Sequence, residues 1–429
     1  MPAKPKRSHY YGWYIVAASV IGVALSQAPI AYLSLGVFMI PLQQSFGWAR
    51  GTVSLGLSVG ALSLALSMPL VGRLVDRHGA RRVLLPSMAM FSVAMMSLYF
   101  LTGSLWHYLG MFALIGIVGS GSNTMTYARV LSSWFDRLRG TALGFAMSGI
   151  GLGSALSPVI AQAIINGHGW RLAYLGLGLM VLVVGWPIEY FVIRDSPQSV
   201  GLRQDGEAGR VRHPIDPIEL GEAALAPVGM TRRDAVRTRE FWMLMAIFFI
   251  VALTVHGLQI HLAPLLRDNG LSADAAAGAA GLAGAAIFFS RIAVGYLLDK
   301  FFAPRVGFFV FLCPLVAMAL VGHANTVAPA LVSATLLGVG SGAESDLMAY
   351  LVSRYFGIRC FAEIYGYTYG ALMLGTAIGP YLWGLTFDIY HSYQPALWAA
   401  LGGVGLICLL LLQFSRFPDW NRTLAPNPG

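Results

Sequence analysis

Gly72-Arg-Leu-Val-Asp76-Arg77-His-Gly79-Ala-Arg81-Arg82 is a short basic stretch wedged between two apolar runs, and a reduced copy stands at Gly295-Tyr-Leu-Leu-Asp299-Lys300. An arginine-rich turn joining two runs long enough to cross a hydrocarbon core predicts a hairpin of membrane-spanning helices whose loop meets water. Its recurrence predicts a chain built from two copies of one unit.

Composition points the same way. The chain has 429 residues, of which 57% are hydrophobic and only 11% charged, against about 25% charged in soluble domains. Its only lysines are Lys4, Lys6 and Lys300, and none follows a glycine, so a Gly-Lys-Ser/Thr phosphate loop and an ATP-driven pump are not expected. The three cysteines, Cys313, Cys360 and Cys408, are far apart and imply no disulfide framework. The apolar run after Trp13 is too long for a signal-peptide core and ends in no Ala-x-Ala site, so it reads as a retained first span.

About 20 apolar residues cross a bilayer as a helix. Twelve such runs lie near 13–40, 52–72, 84–102, 106–128, 140–166, 170–193, 241–264, 275–298, 305–323, 328–353, 363–386 and 394–415. The 28 Lys and Arg test this count, because cytoplasmic loops collect positive charge. With both termini inside, only Arg50, Arg171 and Arg267 fall outside, and Arg291 lies within the eighth span; all the others fall on the cytoplasmic side. That bias accounts for the net charge of +9 through anionic lipid heads, with no nucleic-acid partner.

Gly119-Ser-Gly-Ser-Asn123 through Trp134-Phe135 matches Gly340-Ser-Gly-Ala-Glu344 through Tyr355-Phe356, and Leu152-Gly153-Ser-Ala-Leu-Ser-Pro158 echoes Leu374-Gly375-Thr-Ala-Ile-Gly-Pro380. Spans 4 and 10, and spans 5 and 11, are thus counterparts in the same membrane sense. The expected fold is an all-α integral membrane protein of twelve transmembrane helices in two six-helix pseudo-symmetric halves. Residues 1–193 form the N-terminal bundle, 194–240 a proline-containing cytoplasmic central loop, 241–416 the C-terminal bundle and 417–429 a cytoplasmic tail. The spacings Gly149-x-x-x-Gly153 and Gly375-x-x-x-Gly379 predict close helix packing.

The basic turn resembles the loop between helices 2 and 3 of the major facilitator superfamily, which carries this signature once in each half. Tyr11-Gly12-Trp13, the stretch from Trp134 through Arg137, Arg139 and Gly140 to Gly144, and Arg291 together resemble the monocarboxylate transporters and the related oxalate/formate antiporters. The resemblance implies a secondary carrier working by alternating access, with Gly72, Asp76, Arg77, Arg81 and Arg82 as a conformational lock. The bland alternative is that these arginines serve topology alone. A helix dipole at the start of span 11, around Glu363, would favour Asp76, and the reduced second copy would latch less tightly. Three positions depart from the branch pattern. Leu33 stands where animal monocarboxylate transporters have a lysine, Ile287 where they have an aspartate, and Ala371 near the second cation of the oxalate carriers. A single intramembrane cation suits a monoanion better than a dianion.

An arginine inside a span normally faces a cavity and has a partner, and the guanidinium of Arg291 offers two parallel donors to a carboxylate. Binding a substrate acid and forming a buried pair with Glu344 or Asp346 are both open to it. At 100° per residue those two carboxylates diverge by about 200° on one helix, so they cannot share a face. Glu344 is placed toward the cavity, because its repeat counterpart is the polar Asn123 and that of Asp346 is Met125. A carboxylate that loses Arg291 to substrate would take up a proton, giving symport, with Glu344 and Asp346 as the coupling residues. His256 lies mid-span, where it contacts substrate, titrates or makes a structural polar contact; His261 reads as a helix-end residue. The two are wrongly spaced for a helical metal pair, and no metal or cofactor is expected. Tyr32, Tyr127, Tyr365 and Tyr369 could offer hydroxyls or ring faces, and Tyr365 and Tyr369 share a helix face.

The function expected is transport of small organic monoanions by a monomer in the cell membrane, coupled to protons. The alternatives are organic anion exchange, carriage of another solute such as a sugar acid, and a nontransporting sensor. No nucleophile constellation points to an enzyme.

Overall fold

A computed structural model describes residues 10–48, 50–206, 229–322 and 324–418. Lys4, Lys6, Arg7, the central-loop Arg210 and Arg212, and the tail beyond residue 418 lie outside them. Among the described residues the regular structure is helical, and an isolated antiparallel bridge, Gly229 to Gly357, is the only β pairing.

Among the described residues, eleven helices are long and apolar enough to cross a bilayer. They are α1 Gly12–Phe46, α2 Thr52–His78, α3 Ala80–Phe100, α4 Leu105–Trp134, α5 Arg139–His168, α6 Trp170–Val192, α7 Arg239–Leu262, α8 Gly281–Lys300, α9 Ala303–Val321, α10 Val327–Phe356 and, last in the chain, Gln394–Leu412. Between the final two runs α11, Phe361–Tyr390, a helix of 30 residues. It carries Glu363, Thr368, Thr376 and several tyrosines. Gln394–Leu412 is therefore α12. The first helix reaches Phe46 rather than ending near residue 40, passing through a π-helical segment, Ala28–Leu33. The seventh continues through Pro264 to Asp268.

The quoted basic turn is tighter than a loop. Helix α2 closes at Gly79, whose N–H donates to Val75 O at 2.9 Å and whose φ of +89° is a left-handed geometry that glycine adopts at low cost. The two motifs at the ends of α1 and α4 meet at the same face. Tyr10 packs on Trp134 and Phe135, Tyr11 on Trp134, and Trp13 on Phe135, with ring centroids 5.3–5.9 Å apart. The Tyr11 hydroxyl donates to Val192 O and the Trp134 indole N–H to Arg194 O, both at 2.9 Å. This aromatic knot ties α1, α4 and α6 together at the face bearing the basic turn.

Glycines set the helix pairs. A Cβ at Gly149 or Gly153 would run into the backbone of α1 at Val20 or Ala24, and one at Gly375 or Gly379 into α7 at Phe249 or Leu253. These repeat-related spacings therefore pack α5 on α1 and α11 on α7, inside each half. A second set joins the halves. Gly72 and Gly366 bring α2 against α11, and Gly140, Gly144 and Gly295 bring α5 against α8. A Cβ at Gly72 would overlap the carbonyl of Ala362 at the start of α11. Gly72→Val is accordingly expected to cost roughly 1–3 kcal/mol or more in the conformer with these helices joined. Cysteine-accessibility mapping at the basic face would register it as increased labelling, and unchanged labelling would contradict the packing argument.

Candidate functional site

Arg291, Asp346, Glu344 and His256 come together between α7, α8 and α10, although 90 positions separate the outermost two in sequence. Helix α7 is locally π-helical over Ala252–His256, a form that recurs at functional sites because the extra residue re-aims side chains. It turns His256 into the bundle. The His256 Nε2 lies 2.9 and 3.0 Å from the two carboxylate oxygens of Glu344, and Nδ1 lies 2.9 Å from Thr376 Oγ1 on α11. The Thr376 hydroxyl donates to Leu372 O at 3.0 Å, so it receives the hydrogen on Nδ1. The Nε2 edge of the imidazole is thereby turned onto the Glu344 carboxylate.

Arg291 is 4% exposed and Asp346 fully buried. The guanidinium Nη1 donates to Asp346 Oδ1 at 3.4 Å. The length of this bond leaves the pair loosely satisfied. The Nε of Arg291 and the Oδ2 of Asp346 are both buried with no hydrogen-bond partner among the described residues. The partner of Arg291 is thus Asp346, and the partner of Glu344 is His256. The divergence of the two carboxylates around α10 sends them to different helices, and neither is an unengaged cavity group.

The opposite wall comes from the first half. Helix α4 breaks at the 3-10 turn Ser120–Ser122 and restarts at Thr124, with Asn123 as N-cap accepting from the Thr124 N–H at 2.6 Å. Its repeat counterpart α10 runs unbroken. The restart presents Asn123 and Thr124 to the Tyr369 hydroxyl, and Thr124 to Tyr365. Tyr365 and Tyr369 stack at 5.9 Å with 17° between their planes. Both also interact electrostatically with Arg291. Tyr32, on the π-helical segment of α1, accepts from Gln27 Nε2 at 2.5 Å and neighbours Tyr369 across the halves. The result is a buried patch with one guanidinium edge, parallel aromatic rings and amide and hydroxyl groups from both halves. Such a surface can orient an anion carrying an apolar body.

Two further candidates sit elsewhere. Tyr127 is buried in the first half beside Glu189. His261 is not at a helix end, since α7 continues past it; its Nδ1 lies 3.1 Å from the Tyr393 hydroxyl and its Nε2 3.0 Å from Pro380 O, tying α7 to α11 and α12. An apolar groove of about 870 Å³ runs over α8, α9 and α10. Its lining, dominated by Leu282, Phe289, Val294 and Phe309, offers little to an anion, and Arg305 is the one charged group there.

The basic turn engages the other half directly. Asp76 accepts from the backbone N–H groups of Ala362 and Glu363 at 3.1 and 2.8 Å, at the N-terminus of α11, and from Arg129 Nε at 3.4 Å. Arg73 bonds the Glu363 carboxylate at 2.9 Å. The second copy does the same, with Asp299 accepting from the N–H groups of Gly140 and Thr141 at 2.5 and 2.7 Å at the start of α5. The capping is therefore shared by both copies, and among the described residues the arginine–glutamate pair belongs to the first alone. Asp136 adds a cross-half contact, accepting from Arg354 at 2.8 Å. Of the turn's arginines, Arg77 and Arg82 are exposed and Arg81 bonds within its own half, to Tyr190 O at 2.6 Å. Among the described residues, the one arginine of the turn that bonds the other half is Arg73, while Arg129 braces Asp76 from within the first half. Asp299 was legible from the repeat, whereas nothing in the sequence pairs Arg73 with Glu363 or Thr376 with His256.

Known proteins give the wider setting. Residues 23–380 match the family described as the Major Facilitator Superfamily. Monocarboxylate transporter 11 of Mus musculus is 26% identical over 397 residues, covering 88% of this chain and 81% of that protein. The gallate transporter of Pseudomonas putida is 24% identical, covering 86% and 87%. The 4-hydroxybenzoate transporter PcaK of Pseudomonas aeruginosa is also 24% identical, covering 85% and 87%. Among solved structures, the proton:xylose symporter XylE superposes with a TM-score of 0.76 at 14% identity, covering 96% of this chain and 97% of that one. A match over most of the length, with the same fold, makes this chain a member of the Major Facilitator Superfamily.

Proposed function

We propose that the protein is a secondary active carrier of small organic monocarboxylates, moved in symport with a proton by alternating access. The observation that carries this reading is the buried Arg291, held at 3.4 Å by Asp346 with its Nε unpartnered beside the stacked Tyr365 and Tyr369. A carboxylate can take both open edges of the guanidinium where Asp346 takes one. Asp346, losing its only cation in a buried site, then takes up a proton, because an unpaired buried charge is far costlier than a neutral acid. Anion and proton enter together, and the net charge of the site is unchanged. Glu344 and His256 keep their mutual contact and line the site. The names of the relatives favour monocarboxylates, and the tyrosine stack favours those with a flat apolar body, aromatic acids included.

In this reading residues 1–193 and 241–416 move as two bundles joined by the 194–240 linker, one copy supplying a complete site. The basic face is cytoplasmic, as the arginine distribution supports. Asp76 and Asp299 latch that face shut, so the conformer described accepts substrate from the opposite side.

The test is uptake into proteoliposomes across a panel of small aliphatic and aromatic acids, with and without an inward proton gradient. Asp346→Asn removes the competitor for Arg291, so exchange of internal for external substrate is expected to persist while gradient-driven accumulation disappears. Accumulation by Asp346→Asn equal to wild type would refute the coupling scheme. Wild-type uptake indifferent to the gradient, but stimulated by internal substrate, would favour exchange.

A further inference from the structure

Glu189, on α6, takes no part in the site just described. It is fully buried within the first half, and both carboxylate oxygens lack a hydrogen-bond partner among the described residues. The one ionisable group acting on it is Tyr127 of α4, also fully buried. The third wall is α1 at Gly22, where a Cβ would overlap both Glu189 Oε1 and the Tyr127 hydroxyl. The cations on the neighbouring helices are engaged elsewhere. Arg81 of α3 bonds Tyr190 O and lies over the Tyr190 ring, and Arg129 of α4 bonds Asp76. Arg194, just past α6, bonds the carbonyls of Tyr190 and Ile193. Tyr11 of α1 is occupied by Val192 O.

An ionised carboxylate with no cation in a membrane-embedded interior is among the costliest arrangements available to a protein. A neutral acid beside a tyrosine hydroxyl is not. Glu189 also lies three residues before the end of α6, about 4.5 Å along the axis from the basic face. The covering there is the knot of Tyr11, Trp134 and Arg194 described above, and Trp134 leads directly into the loop whose Asp136 holds Arg354 of the other half. The segment that meets the other half is thus continuous with the knot at the end of the helix carrying Glu189.

We propose that Glu189 is a second proton-binding site, lying in the first half and distinct from the substrate site: it is protonated while the basic face is sealed and exchanges its proton with the aqueous phase when that face opens. The glycine at position 22 is what makes room for the acid, and Tyr127 is the hydrogen-bonding partner of its protonated form. The site does not depend on the identity of the substrate or on the role of Asp346.

Infrared difference spectroscopy of the full-length protein in liposomes tests this without any substrate. Wild type is expected to show a protonated-carboxyl C=O band at neutral pH that is lost in Glu189→Gln and shifted in frequency in Tyr127→Phe, which keeps the acid and removes its hydroxyl partner. Tyr127→Phe also serves if the glutamine variant does not fold. Opening the basic face with Asp76→Ala/Asp299→Ala is expected to make the band disappear as the pH is raised, because water then reaches the acid and lowers the cost of its charged form. A band unaltered by either side-chain substitution, or one that ignores the opening variant, would overturn the proposal. Because no transport is measured, this outcome is independent of whether the monocarboxylate reading holds.

Discussion

Arg291→Ala is expected to abolish substrate-dependent thermal stabilisation and to lower uptake at least 30-fold. The basis is the energy of a buried charge-assisted contact, about 2–5 kcal/mol when one partner is truncated, which at about 1.4 kcal/mol per decade spans roughly 30-fold to several thousand. The same substitution strands Asp346, fully buried, and leaving a buried charge unpaired also destabilises the fold. Arg291→Ala combined with Asp346→Asn removes both charges and separates the effects. The pair is expected to recover much of the melting temperature of the apo protein without recovering uptake. Arg291→Lys keeps the charge but loses the fork of parallel donors, so it should retain stability better than binding. If Arg291→Ala still bound substrate with wild-type affinity, the guanidinium would be a structural partner of Asp346 and nothing more.

Asp76→Ala is expected to shift the carrier toward the conformer open at the basic face by about 1.5–3 kcal/mol, the worth of a hydrogen bond to a charged group, or roughly 10- to 150-fold in the open-to-closed ratio. The carboxylate caps two backbone N–H groups of α11 and receives Arg129, so alanine removes a helix-dipole contact as well. Asp299→Ala acts on the opposite flank, at the start of α5. The two latches share no partner, so their effects should nearly add. Arg73, 49% exposed in its pair with Glu363, should contribute much less, because solvent screens an exposed pair. Distances between spin labels on α2 and α11 would report the populations. Unchanged distributions in the double variant would remove the latch from the mechanism.

The basic turn pointed to the contact of Asp76 with the start of α11 before any fold was known, because the positive end of a helix dipole favours a carboxylate. The turn's arginines were a poorer guide. Arg73, Arg77, Arg81 and Arg82 share the motif with Asp76, yet only Arg73 among them bonds the other half, and the choice depends on which side of α2 meets α11. The repeat likewise aligned Glu344 with Asn123 and marked both as polar positions in counterpart helices. It could not say that α4 would break there while α10 ran on, nor that Glu344 would meet His256 and leave Asp346 to Arg291. Glu189 passed unnoticed because one acid near the end of an apolar run looks like an interfacial residue until its neighbours are known to be Tyr127 and Gly22.

What the sequence determined by itself is the solvent and the plan: apolar runs of spanning length, arginines concentrated in alternate loops, and a duplicated set of glycine and acidic signatures. These follow from constraints that act along the chain, since backbone groups in lipid must bond within their own helix and charge must stay at the surface. The tertiary structure alone decided the pairings, placing α2 on α11 and α5 on α8, with Arg291 beside Asp346, His256 beside Glu344 and Tyr127 beside Glu189. Pairings of buried charges depend on helix rotation, and a turn of 100° per residue moves a side chain from one neighbour to the next without any change in hydropathy.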